Sequence, residues 1–421
     1  MSAQTKFVNP VQRTLSIGQR IEMQRLSRGL SRNVVAGLVG RTAEWLRLIE
    51  VGQRPLKNVD DIIALSRVLG ISDVNSLVDS TRPATVCMQD HPTAPVADLR
   101  NALICNPAYA TNFHAEHALP IQLDINGTEA LDWLRERLHD CQTIWNNPTT
   151  RYLSLLGDLP PLLWRARIQA RFGATEDSAD LLWRAYLLSH GLLEKLGEQQ
   201  LAWISADRAM DVPGHCSGLS LLINNRHLSE SLLKLSYAES ALQCALDSIA
   251  GDNESCSDST EHRVLIGSLY LVAARAAVLL SHTSEAYDYI ELATDIAESL
   301  GPDQVVHDIP FGLVQVGIVR TEIAAWSGDF SRALEIAASF DIPSNFPGRH
   351  TARHYIVVAM SYLRQSDIVG AVFSLTKAAE ASPDDLRVDA DAHRVLHQLT
   401  STTNSLIAKD VFRLAALAGL T

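Results

Sequence analysis

Glycine and proline are scarce for a chain of 421 residues, 22 and 16 respectively, which excludes collagen-like repeats and low-complexity linker proteins. Cysteine is sparse and scattered. Cys87, Cys105, Cys141, Cys216, Cys244 and Cys256 contain no C-x-x-C pair, so neither a disulfide framework nor a thiolate zinc site is expected, and a reducing cytoplasm is the natural setting. Long apolar runs are missing as well. Spanning a bilayer takes roughly 18 uninterrupted apolar residues, and the longest candidate, 269–280, is broken by Arg275. Residues 1–15, MSAQTKFVNPVQRTL, lack the apolar segment of an export signal, so no membrane partner is expected. There is no P-loop and no G-x-G-x-x-G, so no nucleotide cofactor is expected. What remains is a composition of 47% hydrophobic and 20% charged residues, sufficient for large packed cores and incompatible with intrinsic disorder.

The net charge of −12 conceals a division along the chain. Residues 1–80 hold 11 Lys and Arg against 7 Asp and Glu, whereas the remainder holds 25 against 41. A small basic head precedes a large acidic body, and only the head should attract phosphates.

Residues 16–79 carry the periodicity and punctuation of five short helices. Ser16 can cap the first, with Ile17, Ile21 and Leu26 on one face and Gly29 at its end. Ser31 can cap a second, with Val35, Ala36 and Val39 inward and Gly40 as its left-handed stop. Thr42 can cap a third, Ala43 to Val51, that turns Leu46 and Ile49 to the core before Gly52. Two helices joined this tightly form a helix-turn-helix. Asn58 and Ser72 can cap the fourth and fifth.

The segment SIGQRIEMQRLSRGLSRNVVAGLVGRTAEWLRLIEVGQRPL resembles the Xre or lambda-repressor-like helix-turn-helix family, especially its actinobacterial form. The match lies at Gly18, Arg20, Gly29, Leu30, Ser31, Ala36, Gly40, Trp45, Leu46, Ile49, Glu50, Gly52 and Pro55. The resemblance implies double-stranded DNA as partner, with the third helix in the major groove. Carried over by position, Arg41, Thr42, Ala43, Glu44 and Arg47 would face base edges, and the chemistry agrees: Arg bonds guanine bidentately, Glu accepts from cytosine, and an Ala methyl touches thymine. Arg32, Asn33, Arg54 and Lys57 would contact phosphates and set register. The family commonly has Gln and Leu near Asn33 and Val35, a departure at the start of the second helix. Trp45 is assigned to packing rather than to base reading.

Helical periodicity lapses in STRPATVCMQDHPTAPV, and the boundaries expected are a DNA-binding domain at 14–79, a linker at 80–97 and a helical body at 98–421. Within the body, segments 186–210, 220–249, 270–301, 316–340 and 355–385 each pair an apolar helix with an Ala-rich one. Their turns fall near Glu198, Ser236, Ser284, Asp329 and Asp367, separated by 38, 48, 45 and 38 residues, longer than the roughly 34 of a strict tetratricopeptide repeat. The body resembles that repeat family most closely at Ala359, Tyr362, Leu363, Ala371, Phe373, Ala378 and Pro383, with small residues at helix contacts and aromatics filling the gap to the next pair. Residues 129–170 supply the first helices, and 251–263 and 301–310 read as loop insertions. The order of the two parts resembles actinobacterial regulators that fuse an Xre head to such a body. The fold class expected is therefore all-α, a five-helix lambda-repressor-like domain followed by an α-solenoid of helical hairpins. Stacked hairpins curve, and their concave face suits a peptide, a small molecule, a protein or a second copy of the chain.

Catalytic patterns are weak. GHCSG at 214–218 has the spacing of a nucleophile elbow, but its preceding residues read as a helix end and a turn instead of a strand. His350 with His354 and His393 with His397 have chelating i, i+4 spacing without an H-E-x-x-H pattern or a defined third ligand. Ser231 and Lys234 form an S-x-x-K on an amphipathic helix. No enzymatic activity, metal or cofactor is expected. The reading reached is a cytoplasmic, homodimeric, sequence-specific transcriptional regulator. Its alternatives are a repeat scaffold whose head does not bind DNA specifically and, more remotely, a hydrolase using Cys216.

Overall fold

The computed structural model describes residues 18, 21, 22, 25, 31–54, 56, 61, 65, 68, 93–107, 128–147, 149–251, 259–402 and 407–420. The expected caps Ser16, Asn58 and Ser72, together with Lys57 and residues 69–92, lie outside them. The chain divides into two compact units, 1–91 and 92–421.

In the first unit, α1 (Arg32–Leu38) and α2 (Ala43–Glu50) form as their caps require. The Val34 N–H donates to Ser31 Oγ at 3.3 Å and the Trp45 N–H to Thr42 Oγ1 at 3.2 Å, each satisfying a donor that a helix start leaves open. Between them Gly40 takes φ +72°, and the Arg41 N–H closes the turn on the Ala36 carbonyl at 2.8 Å. Val35, Ala36, Trp45, Leu46 and Ile49 are buried with Ile21 and Leu65. Gly18 permits the closest approach: a Cβ there would collide with the carbonyls of Ile49 and Glu50.

The second unit is a helical-repeat body. α3 (Thr93–Ile104) begins inside the stretch read as linker and packs on α5 (Arg151–Phe172), which itself pairs with α4 (Thr128–Asn146). Its terminal carbonyls at Ala102 and Leu103 accept from Arg167 and Arg208, a placement of cations that a helix C-terminus favours.

Five hairpins follow: α6 (Glu176–Lys195) with α7 (Gln199–Met210), α8 (Gly218–Lys234) with α9 (Ala238–Ala250), and α10 (Thr260–Leu279) with α11 (Thr283–Leu300). After an antiparallel two-stranded ribbon, β1 (Gln304–Val306) and β2 (Ile309–Phe311), come α12 (Leu313–Trp326) with α13 (Phe330–Ala337) and α14 (Gly348–Arg364) with α15 (Ile368–Ala381). The chain ends in α16 (Pro383–Val388), α17 (Ala390–Thr402) and α18 (Ala408–Leu417).

All five hairpins turn the same way. The N–H groups of Glu198, Tyr237, His282, Asp329 and Asp367 donate to the carbonyls of Leu193, Leu232, Ala277, Ala324 and Tyr362. The residue before each, Gly197, Ser236, Ser281, Gly328 or Ser366, has positive φ. This is the left-handed closure of a helix C-terminus used as a repeat unit, and it places the turn expected at Ser284 at Ser281 instead. The first helix of one hairpin also packs on the first helix of the next, α8 on α10, α10 on α12 and α12 on α14, and the buried apolar residues form successive clusters along the array.

Three expectations need correction. Thr260–Arg263, read as loop insertion, is the first turn of α10, because Ser259 caps it with a 3.2 Å bond from the His262 N–H. The insertion at 301–310 contributes most of the β1–β2 ribbon. Phe373, placed between repeats by the resemblance, is 63% exposed, whereas Ala359, Ala371 and Ala378 are buried. α10 is long and apolar enough to cross a membrane by length and composition, but in this fold its apolar side chains are buried by neighbouring helices.

Candidate functional site

The first unit presents its polar residues around the start of α2. Thr42 is exposed and spends its hydroxyl on the cap, while Ala43, Glu44 and Arg47 occupy the first turns. Arg41 donates twice to Asp61 Oδ1, at 3.0 and 2.9 Å, and its guanidinium lies 5.7 Å from the Trp45 ring centroid. Arg47 forms a two-point pair with Glu44 at 2.8 and 2.7 Å. That pair lowers the Glu44 pKa and raises that of Arg47, chiefly through the hydrogen bonds between them. Both are exposed surface pairs, which in water hold little net energy and exchange readily for another partner. Asn33 and Arg54 are exposed; Lys57 lies outside the described residues.

Arg32 is placed differently from the others. Its Nε donates to Glu50 Oε2 at 2.5 Å and its Nη2 to Glu22 Oε1 at 2.8 Å. Glu50, whose side chain is wholly buried, also receives Arg25 Nε at 2.7 Å and Nη2 at 3.1 Å. The hydrogen bonds to Glu50 raise the Arg25 pKa against the opposing effect of burial. The Glu of the Ile-Glu-x-Gly ending thus ties the first helix to α1 and α2 from below. The sequence pattern matches Glu50 to the family without showing this role, and nothing in it points to Asp61 as the partner of Arg41.

The body contains a second candidate site that no motif announced. Helices distant in sequence meet here, α5 and α6 against the start of α16: Arg151 Nη2 donates to Ser382 Oγ at 2.6 Å, the Tyr152 hydroxyl donates to Asp385 Oδ1 at 2.8 Å, and Lys195 pairs with Asp385 at 3.1 Å. Burial would raise the Asp385 pKa, but Lys195 and Arg151 keep it lowered. Beside this contact lies a cavity of about 560 Å3, lined by Trp145, His190, His227, Lys195, Asp308 and Arg349 among others.

A ladder of ion pairs crosses that wall from one helix to the next. Glu230 on α8 lies 3.4 Å from Arg226 and 3.7 Å from Arg275 on α10. Arg275 reaches Glu322 on α12 at 2.9 Å, Glu322 reaches Arg353 on α14 at 3.2 Å, and Arg353 reaches Asp389 at 3.2 Å and Asp391 at 2.7 Å. Burial opposes the Glu322 charge, yet Arg275 and Arg353 outweigh it and hold its pKa at about 2. Histidines on the same wall resist protonation: burial, then the proximity of His190 and Arg226, pushes His227 well below its usual value, and burial lowers His190 as well. Neither ring nitrogen of His227 finds a hydrogen-bond partner among the described residues.

The catalytic candidates are not assembled. Cys216 follows α7 in a turn with Gly214 at φ +83°, and His215 Nδ1 is bonded to Ser220 Oγ at 3.1 Å. Burial lowers the His354 pKa to about 4, and among the described residues no group of three His, Cys, Asp or Glu could hold a metal ion.

Among solved structures, the chain is similar to PlcR of Bacillus thuringiensis, described in complex with the peptide PapR7 and DNA, at 12% identity and a TM-score of 0.29, covering 77% of this chain and 97% of that one. It is also similar to the apo form of the competence regulator ComR from Streptococcus vestibularis, at 11% identity and a TM-score of 0.22, covering 96% and 98%. Superposition this loose transfers nothing to this chain. No curated protein matches it. Residues 16–76 match the family model described as a helix-turn-helix domain, and that part of the chain is a helix-turn-helix domain.

Proposed function

We propose that the protein is a sequence-specific DNA-binding transcriptional regulator, with a DNA-binding domain at 14–79, a linker at 80–97 and a tetratricopeptide-like body at 98–421 that dimerises and senses an effector. The observation that carries this reading is the start of α2. Thr42, Glu44 and Arg47 stand exposed above a core of Trp45, Leu46 and Ile49, next to Arg41. Asp61 and Glu44 hold the two arginines extended in water, and exchanging a carboxylate for a guanine edge leaves their hydrogen bonds intact. Asn33, Arg54 and Lys57 serve phosphates. Arg32, committed to Glu50 and Glu22 through two of its five N–H groups, contributes the remaining donors. A single head makes few base contacts, so the active form is a cytoplasmic homodimer on two half-sites about one helical turn apart. The body's cavity admits a peptide or small molecule that shifts the equilibrium between DNA-binding states, provided it prefers one of them.

The test is genome-wide DNA capture with purified protein beside an Arg41→Ala/Arg47→Ala variant at matched salt. A shared palindromic site that the variant loses is the expected result. Weak, sequence-blind capture by both would replace the regulator with a repeat scaffold whose head is not a specific reader. Light scattering of the protein on DNA is expected to give the dimer mass; a monomer there refutes dimerisation.

A further inference from the structure

The β1–β2 ribbon is the part of the body that hairpin stacking does not require. In a solenoid each unit touches its neighbours, but the tip of this ribbon, inserted between α11 and α12, reaches Trp145 on α4, Trp183 on α6 and Arg349 on α14. Its base is fixed. Phe311 is wholly buried over Gly267, where any Cβ would collide with the ring; at the other end Ile309, paired with Val306 beside the turn, is buried in the core shared with the early helices, so displacement concerns the turn residues themselves.

The tip is strained. His307 and Asp308 have φ of +44° and +70°, a two-residue turn of the kind normally made by Asn-Gly because side chains disfavour left-handed backbone. Such a conformation persists only when surrounding contacts enforce it, and those contacts converge on one carboxylate. Asp308 Oδ2 accepts from Trp145 Nε1 at 2.7 Å, its Oδ1 is paired with Arg349, and its carbonyl accepts from Arg349 Nη2 at 3.1 Å. The guanidinium also lies 5.1 Å from the Trp145 ring centroid.

The two sides of this contact differ in kind. The Arg349 side chain is 6% exposed and clamped against an aromatic ring, whereas that of Asp308 is 41% exposed on the cavity. Receptor groups are buried and rigid; the occupant is accessible and sits on a turn that gains by relaxing. A planar guanidinium with an indole N–H beside it binds both oxygens of a carboxylate and offers nothing equivalent to a neutral amide. We propose that Arg349 and Trp145 form a carboxylate receptor inside the body, occupied from within by Asp308, and that an acid-bearing effector entering the cavity displaces the tip. The identity of the effector as an acid rests on the reading that the cavity admits one; the receptor itself does not.

Chemical rescue tests the receptor in the full-length chain. Asp308→Ala is expected to keep its helix content by circular dichroism and to melt below the wild type. Acetate is expected to raise the melting temperature of the variant more than that of the wild type, while acetamide, or chloride at equal ionic strength, does not. Equal effects of acetate on both proteins overturn the receptor. Should Asp308→Ala fail to fold, Asp308→Gly vacates the same position and suits the left-handed backbone of the turn, and the same comparison is read on it. Displacement is tested on the wild type by hydrogen exchange at residues 304–311, which acetate is expected to accelerate. Unchanged exchange at the concentrations that rescue the variant overturns displacement. Genome-wide capture with the variant separates the readings: rescue by acetate with no specific DNA site leaves the receptor standing and removes the regulator.

Discussion

The two units of this chain place charge in opposite ways. In the first, Arg41, Arg47 and Arg54 are on the surface, and beneath them Glu50 is buried together with Arg25. In the body some cations turn inward while others stay on the surface, and Arg275, Glu322 and Arg353 form a largely buried chain that passes from repeat to repeat. A surface arginine is available to a ligand and contributes little to stability; a buried, doubly paired one holds helices in register and is unavailable. The same residue type is therefore open to a ligand in one unit and an internal brace in the other, and burial decides which.

The contrast breaks most severely at Glu322. Glu322→Ala removes the carboxylate that Arg275 and Arg353 share and leaves each with its other acidic partners, Glu230 and Asp389 with Asp391; the body is expected to lose about 3 kcal/mol, the lower end for breaking a buried pair, read as a lower midpoint in urea. In the head, Glu50→Gln removes the charge that Arg25 and Arg32 share. A loss of about 2–3 kcal/mol is expected, confined to the unit that contains residues 16–76 and visible as early hydrogen exchange there. Arg41→Ala should leave stability nearly unchanged and cost about 1–3 kcal/mol in binding to the captured DNA site; an equal loss on unrelated DNA would assign Arg41 to phosphate.

Acid sharpens the comparison further. His354 has a folded pKa of about 4 against roughly 6.5 unfolded, so between those values the unfolded chain binds more protons. Its contribution is complete above pH 6.5 and is lost as pH falls, reaching about 1 kcal/mol by pH 5.5. The lowered pKa of Glu322 acts in the same direction at lower pH, its contribution disappearing as pH falls from about 4.5 towards 2. Thermal melts of the body should therefore decline below pH 6.5, and His354→Gln should flatten the upper part of that decline. The smallest effect belongs to Arg54→Ala, expected to reduce the salt dependence of DNA binding by a slope of about 1 with no change in the preferred site.

Most of the secondary structure was legible because its causes are local. Ser31, Thr42 and Gly40 are capping and turn residues whose chemistry acts within a few positions, and α1 and α2 form where that chemistry puts them. The hairpin turns were legible for the same reason, apart from the displacement at Ser281. Two local rules gave way to packing. α5 continues through Pro160 and Pro161, where Leu155, Leu156, Leu159, Leu162 and Leu163 are buried around the interruption. Phe373, an aromatic at a repeat position, faces solvent.

The candidate site divides likewise. Composition, periodicity and capping determined that the chain is helical, that a basic head precedes an acidic body, and which residues begin α2. Only the tertiary structure decided that Arg32 would be committed to Glu50, that Arg151 and Tyr152 would meet Asp385, and that Asp308 would occupy Arg349 and Trp145. Those partners are separated by 18, by 231 to 233 and by as many as 163 positions. Hydrogen bonds at such separations depend on how helices stack along the array, and no spacing within a single helix encodes them.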